Sequence, residues 1–200
     1  MIDAVPVITA QRFNDLLVTR LQTDAADWKS FVKRYSDNKK WTKQITNLVE
    51  SICYEDLGFE SVTRESWPRV DVAAYSRATD TDWDEWALEI AIEMENDSTT
   101  WESECHKLLL LSCGLKVLVT YEGAENNDEL ERRLSRFVEI YRSRKYCRKN
   151  DQWLLVFLPW HQDVTVYSEI RSFELINQKD ERGQSDPFLR RLKVTPLRNT

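Results

Sequence analysis

The chain has 200 residues, is 42% apolar and carries a formal net charge of −6. That length fits one domain of ordinary size, and the acidic balance excludes a protein coated in basic surface while leaving room for a local basic groove. No apolar run approaches the ~18 residues of a membrane span.

With only four Gly and five Pro but eight Trp, the composition points to a packed core and not to linkers. The N-terminus has no basic-then-apolar leader. Cys53, Cys105, Cys113 and Cys147 form no C-x-x-C pair and no zinc-knuckle spacing. A reducing, cytoplasmic setting is therefore expected, with no membrane partner.

In chain order, Thr9 caps an expected helix from Ala10 to about Gln22, with Phe13, Leu16, Leu17 and Leu21 as its apolar stripe. A second helix is expected from Asp24 to about Tyr35. A polar break follows at 36–40, and a third helix runs from Trp41 to about Asp56, with Gly58 as its stop. Phe59 to Thr63 and Arg69 to Tyr75 read as strands, the second with Asp71 inside it. An acidic loop at 79–85 leads into the strand Trp86 to Glu95.

In that strand Leu88, Ile90, Ile92 and Met94 alternate with Glu89, Ala91, Glu93 and Glu95, so one face is apolar and the other carries acids. Several carboxylates on one face of a buried strand are costly; a bound cation is the simplest group that would offset that cost, whereas on a wet sheet face the acids need none. A helix from Ser98 to Ser112 follows, with Thr99 and Glu102 as a capping box. Leu115 to Tyr121 is a continuous apolar strand. A helix between two strands implies a crossover and parallel neighbours.

Asn127 to about Arg148 reads as one long helix or two short ones, with Leu130, Leu134, Phe137, Val138 and Tyr141 inward. It carries the basic run Arg132, Arg133, Arg136, Arg144 and Lys145. A β-hairpin is expected from Gln152 to Leu158 and Val164 to Ile170. From 178 to 200 the polar chain reads as a flexible tail on a single domain over 1–177. No phosphate-cradling glycine loop and no G-x-S-x-G elbow is present, which disfavours P-loop and serine chemistry.

The order helix, strand, strand with Asp71, strand with Glu93 and Glu95, helix, strand resembles the core of the PD-(D/E)xK, or restriction-endonuclease-like, nuclease superfamily. The resemblance covers 41–121 and implies an α/β fold with an αβββαβ core and a mixed central sheet. The segments on either side then form an N-terminal helical extension over 9–35 and a C-terminal helix and hairpin over 127–177. It implies Mg²⁺ or Mn²⁺ held by Asp71, Glu93 and Glu95, the third residue of the motif, with Glu50 as a further candidate ligand. Glu50, ahead of Gly58 and Phe59, matches the acid that many members carry on the preceding helix.

Two positions depart from the family pattern. Val70 stands where a Pro is usual, and Glu95 where a Lys is usual. Some members use Glu-x-Glu, and in others the Lys has moved to the following helix, where Lys107 lies. Glu104, three positions before Lys107, shares its face.

The expected activity is endonucleolytic or exonucleolytic hydrolysis of DNA, favoured over RNA, through metal-activated water. Lys107 or Glu95 would orient or deprotonate that water. The basic run would track phosphates, and a homodimer would let two strands be cut. The alternative expectation is an inactive nuclease-like fold that binds nucleic acid or protein.

Overall fold

The computed structural model describes residues 8–24, 38–59, 61–64, 70–77, 86–95, 100–122, 126–143, 152–159, 168–179, 185–192 and 195–197. Helix α1 spans Ala10–Asp24. Phe13, Leu17 and Leu21 recur every fourth residue and are buried. Thr9 caps it, its hydroxyl accepting the Arg12 N–H at 3.2 Å. The helix expected after Asp24 lies outside the described residues.

Helix α2 spans Asn38–Ser51 and widens into a π turn at Ile52–Asp56. It starts at Asn38, inside the stretch expected as a polar break. The wide turn lets Ile52 and Cys53 both face the core. Gly58 ends it with φ 72°, and the Phe59 N–H closes back on the Cys53 carbonyl at 3.0 Å. A Cβ at Gly58 would meet nothing within 4 Å, so a side chain there meets no clash but still disfavours the positive φ. Gly58→Ala is expected to cost about 1 kcal/mol, read as a lower urea midpoint at unchanged slope. An unmoved midpoint would contradict this stop.

The strands are β1 (Ser61–Arg64), β2 (Val72–Arg77), β3 (Trp86–Glu95), β4 (Leu115–Glu122), β5 (Gln152–Pro159), β6 (Ser168–Lys179), β7 (Ser185–Arg191) and β8 (Thr195–Leu197). Helix α3 (Trp101–Leu109) lies between β3 and β4, and α4 (Asn126–Ser143) between β4 and β5. The sheet runs β1 to β7 in sequence order, and β8 also pairs with β6. β3, β4 and β5 are parallel, and the two crossovers they require are α3 and α4. The other pairings are antiparallel.

Each face of the sheet is covered. Phe13, Leu17, Ile45, Val49 and Ile52 from α1 and α2 pack on Ile90, Ile92, Val117, Val119 and Val156. Trp101, Cys105 and Leu108 of α3, with Leu134, Phe137 and Tyr141 of α4, pack on Ala91, Leu118, Trp153 and Leu155. The result is an α/β domain with a mixed central sheet between two helical layers, as the alternating periodicities imply.

Three expectations need correction. The regular alternation along β3 breaks, because Ala74 pairs with Ile90 and Tyr75 with Leu88, leaving Glu89 as an extra residue. Leu88 therefore packs with Tyr75 on the α3–α4 side, not with Ile90. Glu89 instead accepts the Ser76 hydroxyl at 2.5 Å, away from Glu93. Second, the partner of β5 begins at Ser168 and runs to Lys179, and residues 160–167 lie outside the described part. Third, the chain beyond 178, expected as a loose tail, supplies β7 and β8, which pair with β6.

Candidate functional site

Asp71 stands immediately before β2 and not within it, as the sequence pattern suggested. Its Oδ2 accepts the Met94 N–H at 2.7 Å, which ties the entry of β2 to the end of β3. Met94 turns toward α2, where Thr46 meets its sulfur. Its neighbour Glu93 must then point to the opposite face, beneath α3. Glu93 is only 2% exposed.

Helix α3 closes over this point because Trp101, Cys105 and Leu108 anchor one side of it in the core. That anchoring leaves Glu104 and Lys107 on its flank, one turn apart. The Lys107 ammonium lies 2.8 Å from Glu93 Oε1 and 2.5 Å from Glu104 Oε2. Asp71, Glu93, Glu104 and Lys107 thus form one electrostatic cluster.

Burial pushes the Glu93 carboxyl up to about 9; the Lys107 ammonium opposes this, but the like charges of Asp71 and Glu104 add to it. Asp71 is raised as well, chiefly by burial, although the Met94 N–H, Glu93 and Lys107 pull it down. Burial lowers the Lys107 ammonium, but Glu104 and Glu93 outweigh that effect and leave it raised. Three acids thus face one ammonium. Over the neutral range they also share the proton that burial keeps on Glu93, which a divalent cation would have to displace.

Of the residues singled out from the sequence, Asp71, Glu93 and Lys107 are brought together. Glu104 joins them; the only signal for it was its spacing from Lys107. Glu95, half-buried at the end of β3, is not among the principal charges acting on Asp71, Glu93 or Lys107. Neither is Glu50, which lies on α2 over the opposite face. There its charge adds to the burial that raises the Cys53 thiol to about 12. Among the described residues, no group of three or more His, Cys, Asp or Glu side chains is already arranged to hold a metal ion.

The basic run on α4 divides. Arg133 is 5% exposed and pairs with Glu129 at 3.1 Å, so it is not part of an outward basic face. Arg132 also pairs with Glu129 and is exposed. Arg136 is half exposed and sits 3.2 Å from both Glu102 of α3 and Glu139. Arg144 and Lys145 lie outside the described residues. No described helix is long and apolar enough to cross a membrane. No protein-family model, curated protein or solved structure matches the chain, so the chemistry of the acid cluster itself must carry the functional reading.

Proposed function

We propose that this chain is a Mg²⁺- or Mn²⁺-dependent nuclease of the PD-(D/E)xK type that hydrolyses DNA phosphodiesters. The observation that carries the reading is the convergence of Asp71, Glu93 and Lys107 on one face of the sheet. The element order α2, β1, β2, β3, α3, β4 supports the finer fold assignment, as does the parallel pairing of β3 with β4. Lys107 on α3 stands in for the Lys that Glu95 replaces in the motif.

Asp71 and Glu93 fit a hard cation. They offer carboxyl oxygens largely shielded from water, and Glu93 would give up its proton to the ion. They would hold the ion, which would supply Lewis-acid charge at a phosphate and a more acidic water.

The chain's own residues supply the rest. The Met94 N–H fixes the Asp71 carboxyl and so the opening between β2 and β3. Lys107 brings positive charge to the site, where charge grows on a phosphate under attack. The packing of α3 over the sheet keeps the local dielectric low and strengthens these interactions. Arg132 and Arg136 are exposed on α4, and Arg136 already touches α3. They offer sequence-independent phosphate contacts on the α4 surface.

The test is cleavage of single-stranded DNA, duplex DNA and RNA by the purified chain with Mn²⁺ and with excess chelator. Metal-dependent cleavage with DNA preferred is the expected result. Cleavage that survives the chelator, or none on any substrate, would overturn the proposal.

A second reading is an inactive nuclease-like binding module. The ion pairing of Lys107 with Glu93 and Glu104 favours it, because the ammonium already occupies the acids. Millimolar Mn²⁺ separates the two readings. A raised melting temperature supports the enzyme, since a ligand of the folded state alone stabilises it. No shift supports the module.

A further inference from the structure

Two register rows cross the sheet near the ends of the parallel strands. One runs Glu93, Leu118, Leu155, Phe173, Arg191 from β3 to β7. The next runs Glu95, Thr120, Phe157, Arg171 from β3 to β6. Leu118, Leu155, Phe157 and Phe173 pack in the core on the α3–α4 side. Partners in register share a face, so both rows face that side. Each row therefore begins with an acid of β3 and ends with an arginine.

Arg171 and Arg191 are diagonal neighbours on adjacent antiparallel strands, a spacing of roughly 7–8 Å between backbones. Two cations so placed repel, and an anion between them removes that cost. Arg171 is 22% exposed, and its ion pair with Glu169 is long, at 3.8 Å, and open to solvent. Arg191 is exposed. Helix α4 meets β7 nearer its start, where Arg142 donates to the Pro187 carbonyl at 3.3 Å and Leu189 joins the core. In open α/β sheets ligands bind outside the carboxyl ends of the parallel strands. Both arginines lie at that end, level with Glu93 and Glu95.

We infer that Arg171 and Arg191 form a phosphate clamp, and that a DNA strand runs across the ends of β3 to β7 from the acid cluster to this clamp. The choice of DNA rests on the nuclease reading above. Glu95 and Arg171 are three strand spacings apart, roughly 14 Å. The clamp therefore grips the backbone about four nucleotide steps of ~3.4 Å from the cluster. The guanidinium fork matches phosphate oxygens in shape and charge. Arg190 is the internal control, because it alternates to the opposite face and pairs with Glu174.

The test is binding of fluorescent single-stranded and duplex DNA oligonucleotides to the full chain, read by anisotropy in excess chelator across a range of salt. The wild type is compared with Arg171→Gln, Arg171→Lys, Arg191→Gln and Arg190→Gln, each first shown to be folded by circular dichroism. Each phosphate contact adds about 0.9 to the slope of log affinity against log salt on duplex DNA, and about 0.7 on single strands. Arg171→Gln and Arg191→Gln are each expected to lower the slope by about that amount and to weaken binding severalfold. Arg171→Lys keeps the charge, and Arg190→Gln lies on the other face, so both are expected to keep the wild-type slope. Arg191→Gln, at an exposed position, decides the matter if Arg171→Gln does not fold.

A wild-type slope in either glutamine variant overturns the clamp, and so does an equal loss in Arg190→Gln; the nuclease reading then stands if the wild type cleaves DNA with Mn²⁺. Lowered slopes beside a wild type that never cleaves uphold the clamp and overturn the nuclease reading. A wild type that neither binds nor cleaves DNA overturns both.

Discussion

Glu93→Gln is expected to abolish metal-dependent cleavage and to flatten the pH dependence of stability in the same protein. The activity falls because a ligand oxygen becomes a neutral amide; the expected loss is at least about a hundredfold. The stability effect follows from linkage. The Glu93 carboxyl is raised from 4.5 to about 9 by burial and by its acidic neighbours. Between those values the folded state keeps a proton that the unfolded chain releases. Its contribution is complete below the ordinary glutamate value and is lost as pH rises toward the raised one, at up to roughly 1.4 kcal/mol per pH unit.

Asp71 is raised too, so it tilts stability in the same direction above its ordinary value; the raised Lys107 ammonium acts only above its own ordinary range, outside the neutral window. In metal-free buffer the wild type should grow less stable with rising pH across the neutral range, and Glu93→Gln should lose most of that slope. Denaturant melts across the window measure it. A wild-type slope in the variant would show that another group titrates. Wild-type cleavage by the variant, with contaminating nuclease excluded, would sink the site.

The largest loss of stability is expected at Trp153, on the α3–α4 side of β5. Its ring is fully buried, with Phe137 edge-on at a centroid distance of 5.1 Å and Tyr141 at 6.5 Å. The Lys116 ammonium, itself 1% exposed, lies 5.2 Å from its centroid. Trp153→Ala leaves a cavity at the meeting point of β4, β5 and α4. It also removes the ring face that meets the buried ammonium. The expected cost is about 3–5 kcal/mol, large against the ~5–15 kcal/mol that holds a typical domain.

Trp153→Phe should cost less. It keeps an aromatic edge for Phe137 and Tyr141, and it removes a buried indole N–H that has no hydrogen-bond partner among the described residues. Equal melting temperatures for the alanine variant and the wild type would contradict this account of the core.

Periodicity carried much of the architecture. The bounds of β3 and the α3–β4 crossover follow from alternation, from a 3.6-residue stripe and from one continuous apolar run. What it could not carry was the effect of pairing partners. The displacement of Glu89 depends on the register between β2 and β3, and neither strand contains that information alone. β7 is an edge strand with a Pro inside it and Leu189 packed on the core cluster. Edge strands need little apolar surface, so its sequence looks like a loop.

The candidate site was legible through residue types. Asp71, Glu93 and Lys107 were picked out by position along the chain, and the fold brings them together. Glu104 was marked only by sharing a helix face with Lys107, because an acid on a helix flank is common; the ammonium it shares with Glu93 ties it to the cluster. Arg133 looked like surface because its burial follows from the rotation of α4 against the sheet, which composition does not reveal.

The most direct test of the central claim is anomalous scattering from crystals soaked in Mn²⁺. The account predicts one peak between the carboxylates of Asp71 and Glu93, with Lys107 moved out of its ion pair. No peak, with Lys107 still against Glu93 and Glu104, would contradict it; the cluster would then be a structural ion-pair network, and protein partners would be the next place to look.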